Sequence, residues 1–434
     1  MSNPIHSTSA KSVLPMLAMR GLATGLCAGC VVGLLRLSHD RAAARVALWL
    51  EEWREVWWTV PIWFGVLVAL AVILRRIVRE EPLISGSGIP QTELALAGRL
   101  SFTWWRVLLA KFLGSWLALF GGLALGREGP SIQMGGAVGA GFHALWRPAP
   151  PHALTGSPYV VAGAVAGLAA AFGAPAAGVL FAFEEMKSRR DTSLIVAACA
   201  SAIGAHLMIR IVFGMGRILP FAGFEAPPLS SFWIVALEGA VFGVLGVGYN
   251  KTLLWLHDRE AGQTLIPDRW RALPPLLLAG CLALFAPLLI GGGESLIIFV
   301  GEHDVALKTL ILLLAFKYLF AQYSTVASIP GGLLMPILCL GALWGRLWAE
   351  LPVSALAAHG LASGSVQPYV LFGMVSYFAA TVRAPLTGIV LVTEMSGTYT
   401  CLPGSLLAGL IACKVANLLH CPPVYDSLKE RIRL

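Results

Sequence analysis

Three short segments carry the residues from which chemistry could be built. They are Gly86-Ser87-Gly88-Ile89-Pro90, Gly126-Arg127-Glu128-Gly129-Pro130 and Gly331-Gly332-Leu333-Leu334-Met335-Pro336. Each runs glycine, then proline, then an apolar helical stretch. Proline suits the first helical turn, where its missing N–H costs nothing. Glycine permits the entry turn. Each segment therefore marks a helix start whose first N–H groups have no partner within the helix. The summed peptide dipoles place about half a positive charge at such an end. Several converging ends would hold an anion without a full buried cation, which would bind it tightly and slow its release. Glu128 stands at one of these helix starts inside an apolar stretch, and an intramembrane acid is a functional candidate by default.

The elements that must position these segments lie in lipid. Of the 434 residues, 57% are apolar and 12% charged, against roughly 25% charged in a soluble domain. Mean hydropathy is +0.77. Apolar runs fall near 14–37, 57–78, 103–125, 130–146, 158–184, 192–214, 230–257, 273–291, 306–323, 332–350, 368–393 and 402–420. At ~20 residues per span these predict a polytopic all-α bundle, with many helices broken by the 47 Gly and 26 Pro. Residues 258–270 and 351–366 read as polar linkers. Such a chain is not a soluble enzyme, a nucleic-acid-binding module or a disordered protein.

The net charge of +8 is spent on flanks: Arg75, Arg76 and Arg79; Lys187, Arg189 and Arg190; Lys429, Arg431 and Arg433. Basic residues beside apolar runs predict a cytoplasmic face, with the C-terminus on it. Trp49, Trp53, Trp57 and Trp58, like Trp104 and Trp105, suit an interfacial belt. Cys27 and Cys30 have CxxC spacing without a βαβ context, so they read as small residues in helix packing.

The chain repeats itself. Pro158-Tyr159-Val160 recurs as Pro368-Tyr369-Val370, an offset of 210. The same offset pairs Gly163 with Gly373, Ala174-Pro175 with Ala384-Pro385, Gly178 with Gly388 and Glu184 with Glu394. An offset of 206 pairs Lys111 with Lys317 and Pro130 with Pro336. Duplicated membrane units often build their substrate site at the repeat interface. The pairing alone leaves parallel and inverted repeats both open.

These residues resemble the CLC family of chloride channels and proton-coupled chloride transporters. The resemblance runs from about residue 14 to 428. GSGIP at 86–90 and GREGP at 126–130 match the family's selectivity motifs, as do the duplicated Ala-Pro-x-x-Gly…Glu-Met blocks. It implies an inverted internal repeat with tilted and broken helices, a homodimer, and one anion pathway per subunit. The halves would span 14–215 and 228–428 of a single membrane domain over 1–434, with no cytoplasmic regulatory domain. Leu334 departs from the family, which commonly has an aromatic residue there. Because that position contributes a backbone amide, the change bears on pore width more than on anion binding.

The resemblance also implies roles. Ser87, an ordinary helix cap when read alone, would be the central hydroxyl donor to chloride. It adds no charge. Tyr425, an interfacial tyrosine when read alone, would be the second donor. Gly86, Leu333 and Leu334 would line the same site. The carboxylate of Glu128 would occupy the anion's place and leave it on protonation, so one group gates the path and carries a proton. The bland alternative is a carboxylate paired with Arg127. Glu185 matches the acid that passes protons on the cytoplasmic side in the exchanger branch. Its alternative is a loop-edge partner for Lys187. Glu184 and Glu394 read as structural hydrogen-bonding groups at duplicated helix ends, Glu93 and Lys111 as structural polar residues, and Gln91 is given no role.

Chloride–proton antiport is thus the expected activity, with a passive voltage- or pH-gated chloride channel as the alternative. A fluoride exporter fits less well, since that branch departs from GSGIP. Nine scattered His and the absence of HExxH or GxSxG argue against a membrane enzyme. No cofactor, metal or nucleic acid is expected. Chloride is the substrate, and the expected location is a bacterial inner membrane.

Overall fold

The computed structural model describes residues 5–52, 56, 58–146, 154–186, 191–221, 224–358 and 366–432. Trp53, Trp57, Lys187, Arg189, Arg190 and Arg433, named above as interface markers, lie outside these residues, as does the Trp49 side chain. The described α-helices are α1 (Ile5–Glu52), α2 (Thr59–Glu80), α3 (Ile89–Leu96), α4 (Trp104–Phe120), α5 (Glu128–Trp146) and α6 (Pro158–Phe172). They continue as α7 (Pro175–Glu184), α8 (Thr192–Leu207), α9 (Phe232–Gly262), α10 (Leu273–Phe285), α11 (Glu294–Glu302) and α12 (Leu307–Val326). The last are α13 (Leu334–Trp348), α14 (Ser354–Ala358), α15 (Gln367–Val382), α16 (Pro385–Ser396), α17 (Leu402–Leu418) and α18 (Val424–Lys429).

Among the described residues, seven helical segments are long and apolar enough to cross a membrane. The other apolar runs are shorter or broken. Run 158–184 is cut into α6 and α7 at Ala174-Pro175, and run 368–393 into α15 and α16 at Ala384-Pro385. In both, the proline takes a first-turn position of the new helix. The supposed linkers are partly helical: α9 runs to Gly262, and residues Ala349–Ala358 continue α13 through a π-turn. There the apolar period lapses before the backbone hydrogen bonding does.

Pairing of elements explains why the duplication is inverted. α1 and α2 are consecutive spans, so α2 returns to the face where α1 begins. At its end, Arg75 and Arg79 pair with Asp268, which follows α9. Hence α9 ends on the face where α1 starts, and the two helices cross in opposite senses. They are equivalents nonetheless. Gly21 and Gly25 of α1 lie against the Ala197 and Ser201 carbonyls of α8, as Gly239 and Gly243 of α9 lie against those of Ala408 and Ala412 on α17.

Four helices near the centre, α5, α6, α13 and α15, are buried on nearly every side. With lipid outside, their association rests on close packing rather than on water exclusion. A methyl at Gly163 would overlap the Gly135 carbonyl, and one at Gly135 that of Gly163. Gly341 and Gly373 repeat this between α13 and α15. The halves are also clasped. Glu184 accepts from the N–H groups of Leu386 (3.1 Å) and Thr387 (2.7 Å) at the start of α16. Glu394 accepts from those of Ala176 (3.2 Å) and Ala177 (2.9 Å) at the start of α7. Each carboxylate caps the other half's helix, where negative charge is favoured.

Candidate functional site

The three motif loops are stitched by backbone hydrogen bonds. Gly126 and Gly332 exchange two, N–H to carbonyl, at 2.7 and 2.6 Å, although 206 residues apart. Gly331 N–H donates to the Gly86 carbonyl at 3.0 Å. The starts of α3, α5 and α13 therefore meet, and each of these helices has a proline in its first turn.

The loop before α3 is held from several sides. Gly86 and Gly88 have φ of +63° and +92°, the left-handed region that a side chain disfavours. Lys111 Nζ donates to the carbonyls of Ile84 and Gly86, both at 2.7 Å. Gln133 donates to the Leu83 carbonyl (2.8 Å) and Gln91 to that of Ser85 (2.9 Å). A twin loop precedes α11. Lys317 Nζ donates to Leu289 (2.9 Å) and Gly291 (2.7 Å), and Gly291 and Gly293 have φ of +66° and +107°. Ser87 stands between Gly86 and Gly88, whereas Gly292 stands between Gly291 and Gly293. The two halves share a scaffold, and one of them bears the hydroxyl.

Glu128 opens α5 and is buried. The N–H groups of Met335 and of Glu128 itself point at its carboxylate. Oε2 lies against Gly126 and Gly332 and has no hydrogen-bond partner. The carboxylate thus sits where two helix starts converge, the place a free anion would take. It lines a cavity of ≈ 550 Å³ with His39, Asp40, Arg127, Glu294 and Met335. Arg127 does not pair with Glu128. Its guanidinium reaches Asp40 (3.1 Å) and Glu294 (2.6 Å).

On the other side of Glu128, the buried Ser87 hydroxyl lies against the Cα of Gly129, in the first turn of α5. The Tyr425 phenol, fully buried on α18, faces Ser87 and lies within electrostatic reach of both Glu128 and Glu185. Neither hydroxyl has a hydrogen-bond partner of normal geometry. Two buried hydroxyls that face each other without a hydrogen bond of normal geometry are costly unless a guest accepts from them. Glu185 is buried at the C-terminal cap of α7. Lys187, its alternative partner, lies outside the described residues. Leu333 and Leu334, both buried, form the N-terminal end of α13.

At the far end of α18, Lys429 pairs with Glu93 of α3 and with Asp426 (3.1 Å). Burial works against the Lys429 ammonium, but hydrogen bonds and charge from Glu93 and Asp426 hold its pKa above the ordinary value.

The structure brings together Gly86, Ser87, Glu128, Gly129, Gly332, Met335 and Tyr425. Several contributors had escaped the sequence reading. Gln91 and Gln133 brace the Ser87 loop, and Asp40 and Glu294 hold Arg127. Glu238 is a buried acid of α9 with both carboxylate oxygens unpartnered. Its sequence signal is a lone acid in Trp233–Gly243.

Comparisons agree with this geometry. A family profile described as "Voltage gated chloride channel" matches residues 64–417. A protein of Vibrio campbellii named H(+)/Cl(-) exchange transporter ClcA is 35% identical over 416 residues, covering 93% of this chain and 87% of the relative. The one of that name from Vibrio cholerae is 34% identical over 419 residues, covering 94% and 88%. Among solved structures, a slow cyanobacterial Cl-/H+ antiporter superposes with TM-score 0.86 at 28% identity, covering 95% of this chain and 97% of that one. The resemblance drawn from GSGIP and GREGP is borne out, as is its all-α, inverted-repeat fold. The chain belongs to the voltage-gated chloride channel family, the CLC proteins.

Proposed function

We propose that the chain is a secondary active antiporter that exchanges chloride for protons across a membrane. The observation that carries this reading is the position of Glu128. Its carboxylate fills the convergence of helix starts between the ≈ 550 Å³ cavity and the paired hydroxyls of Ser87 and Tyr425. Chloride accepts from Ser87 and Tyr425 and is favoured by the helix ends near Gly86, Leu333 and Leu334. A proton entering Glu128 neutralises it, so the side chain leaves and the anion takes its place. Glu185, which like Glu128 lies within electrostatic reach of Tyr425, passes protons on the opposite side. One site cannot hold carboxylate and anion together. That exclusion links the two fluxes, because each ligand favours a different state.

The relatives' printed names support exchange over a passive channel. The chain works as a homodimer in a bacterial inner membrane, with its C-terminus and the Arg75–Arg79 end of α2 in the cytoplasm. The purified protein in liposomes under opposed chloride and proton gradients tests this reading. A reversal potential displaced from the chloride Nernst value is expected. The Nernst value itself would mean a channel.

A further inference from the structure

Two short helices carry the two hydroxyls that face each other in the site. Ser87 ends the loop entering α3, and Tyr425 lies in the first turn of α18. At their other ends these helices meet again. Glu93 lies six residues past Ser87, Lys429 four past Tyr425, and the two are ion-paired. The hydroxyl pair and the ion pair close a ring through two helices.

The rest of the segment is tied elsewhere. Arg383 donates to the Cys421 carbonyl at 3.0 Å, and Asn250 reaches that of Pro422 at 3.4 Å. Arg431 grips Asp258 of α9 at 2.8 and 2.9 Å. Those bonds fix α18 to α9 and α15, whereas Lys429 and Glu93 fix it to the helix that follows Ser87. Glu93 is 7% exposed, so its carboxylate is largely stripped of water and holds its cation more firmly than a surface pair would.

We propose that Lys429 and Glu93 form an ionic clasp that sets the Tyr425 phenol against the Ser87 hydroxyl, which makes both of them positioning residues for coupled exchange. The clasp rests on the antiport reading above. Opening it frees α18 to swing from α3, widens the space between the hydroxyls and lets chloride pass without its proton.

The experiment uses the full chain in liposomes and follows chloride flux, proton flux and chloride affinity together. Lys429→Met is expected to weaken chloride binding about tenfold and to lower the number of protons moved per chloride. Lys429→Arg keeps the charge and should keep both near wild type. The swap Glu93→Lys with Lys429→Glu should recover coupling lost in either single reversal. A purely structural pair would lower thermal stability in the single variants and leave the protons moved per chloride in the folded protein unchanged. If Lys429→Met folds poorly, Glu93→Gln gives the same reading from the other side. Wild-type coupling and affinity in folded Lys429→Met or Glu93→Gln would overturn the clasp, as would a folded swap that stays uncoupled. A wild-type protein that drives no protons would instead overturn the antiport reading itself.

Discussion

Lys111→Met tests whether the loop scaffold, rather than Ser87 alone, makes the anion site. The ammonium bonds two carbonyls, and they differ in what they keep. That of Gly86 still accepts from Gly331 N–H at 3.0 Å, so its loss is one bond, ~1 kcal/mol. The Ile84 carbonyl, 2.7 Å from Nζ, loses its charged donor in a buried place, which costs about 1–3 kcal/mol. The loop before α3 is thereby loosened by roughly 2–4 kcal/mol. If restoring its geometry around the anion takes half of that, chloride Kd rises about 5- to 30-fold. Calorimetric titration of chloride into the purified protein reads this directly. Lys317→Met is the matched control. It removes the equivalent bonds to Leu289 and Gly291 from a loop that offers Gly292 in place of Ser87. It should lose comparable thermal stability and change Kd less than about twofold. An unchanged Kd in Lys111→Met, or an equal loss in both variants, would refute the reasoning.

Glu128→Ala should retain chloride flux and lose proton coupling; a chloride gradient that still drives protons uphill in mutant liposomes would contradict the gating role. Glu185→Gln should keep chloride transport while proton flux falls by ~10²-fold or more, read as the pH change of the medium around the vesicles; an undiminished proton flux would remove Glu185 from the path. Gly163→Ala pushes a methyl into the Gly135 carbonyl and should destabilise by about 1–3 kcal/mol. Gly65→Ala, which meets nothing within 4 Å, should be neutral or stabilising by thermal denaturation in detergent. Burial pushes the Asp268 carboxyl up, but hydrogen bonds and charge from Arg75 and Arg79 outweigh it and hold the pKa below 3.8. A depressed carboxyl pKa stabilises above the unfolded value and loses that contribution as pH falls through the folded one. The stability gap between wild type and Asp268→Asn, ~1 kcal/mol or less, should therefore be level above about pH 5 and shrink below about pH 4. A gap that widens on acidification would show the sign to be wrong.

How much of the site was legible depends on the range of the forces involved. A helix start is a local event. Glycine, proline and the apolar run after them fix it within a few residues, so 86–90, 126–130 and 331–336 are recognisable as helix ends from their residue types alone. The acid at Glu128 is visible for the same reason, since a charge in an apolar stretch is conspicuous. The break of 158–184 into α6 and α7 is legible in its Ala-Pro step, but the continuation of α9 and α13 through polar sequence is not. There backbone hydrogen bonding carries the helix past the end of its apolar face.

The duplicated letters determined that the chain is a doubled membrane bundle with buried helix ends. The tertiary structure decided which ends meet. Gly126 and Gly332 are 206 residues apart, and nothing near either specifies the two bonds they exchange. The same holds for Arg127, whose adjacent acid in sequence is Glu128 but whose partners are Asp40 and Glu294. Adjacent residues on a helix start point apart, while packing of α1 against α5 and of α11 against α13 brings the distant carboxylates in. That choice leaves Glu128 without an ion-pair partner between the cavity and the hydroxyls, as the proposed exchange of a proton for an anion requires.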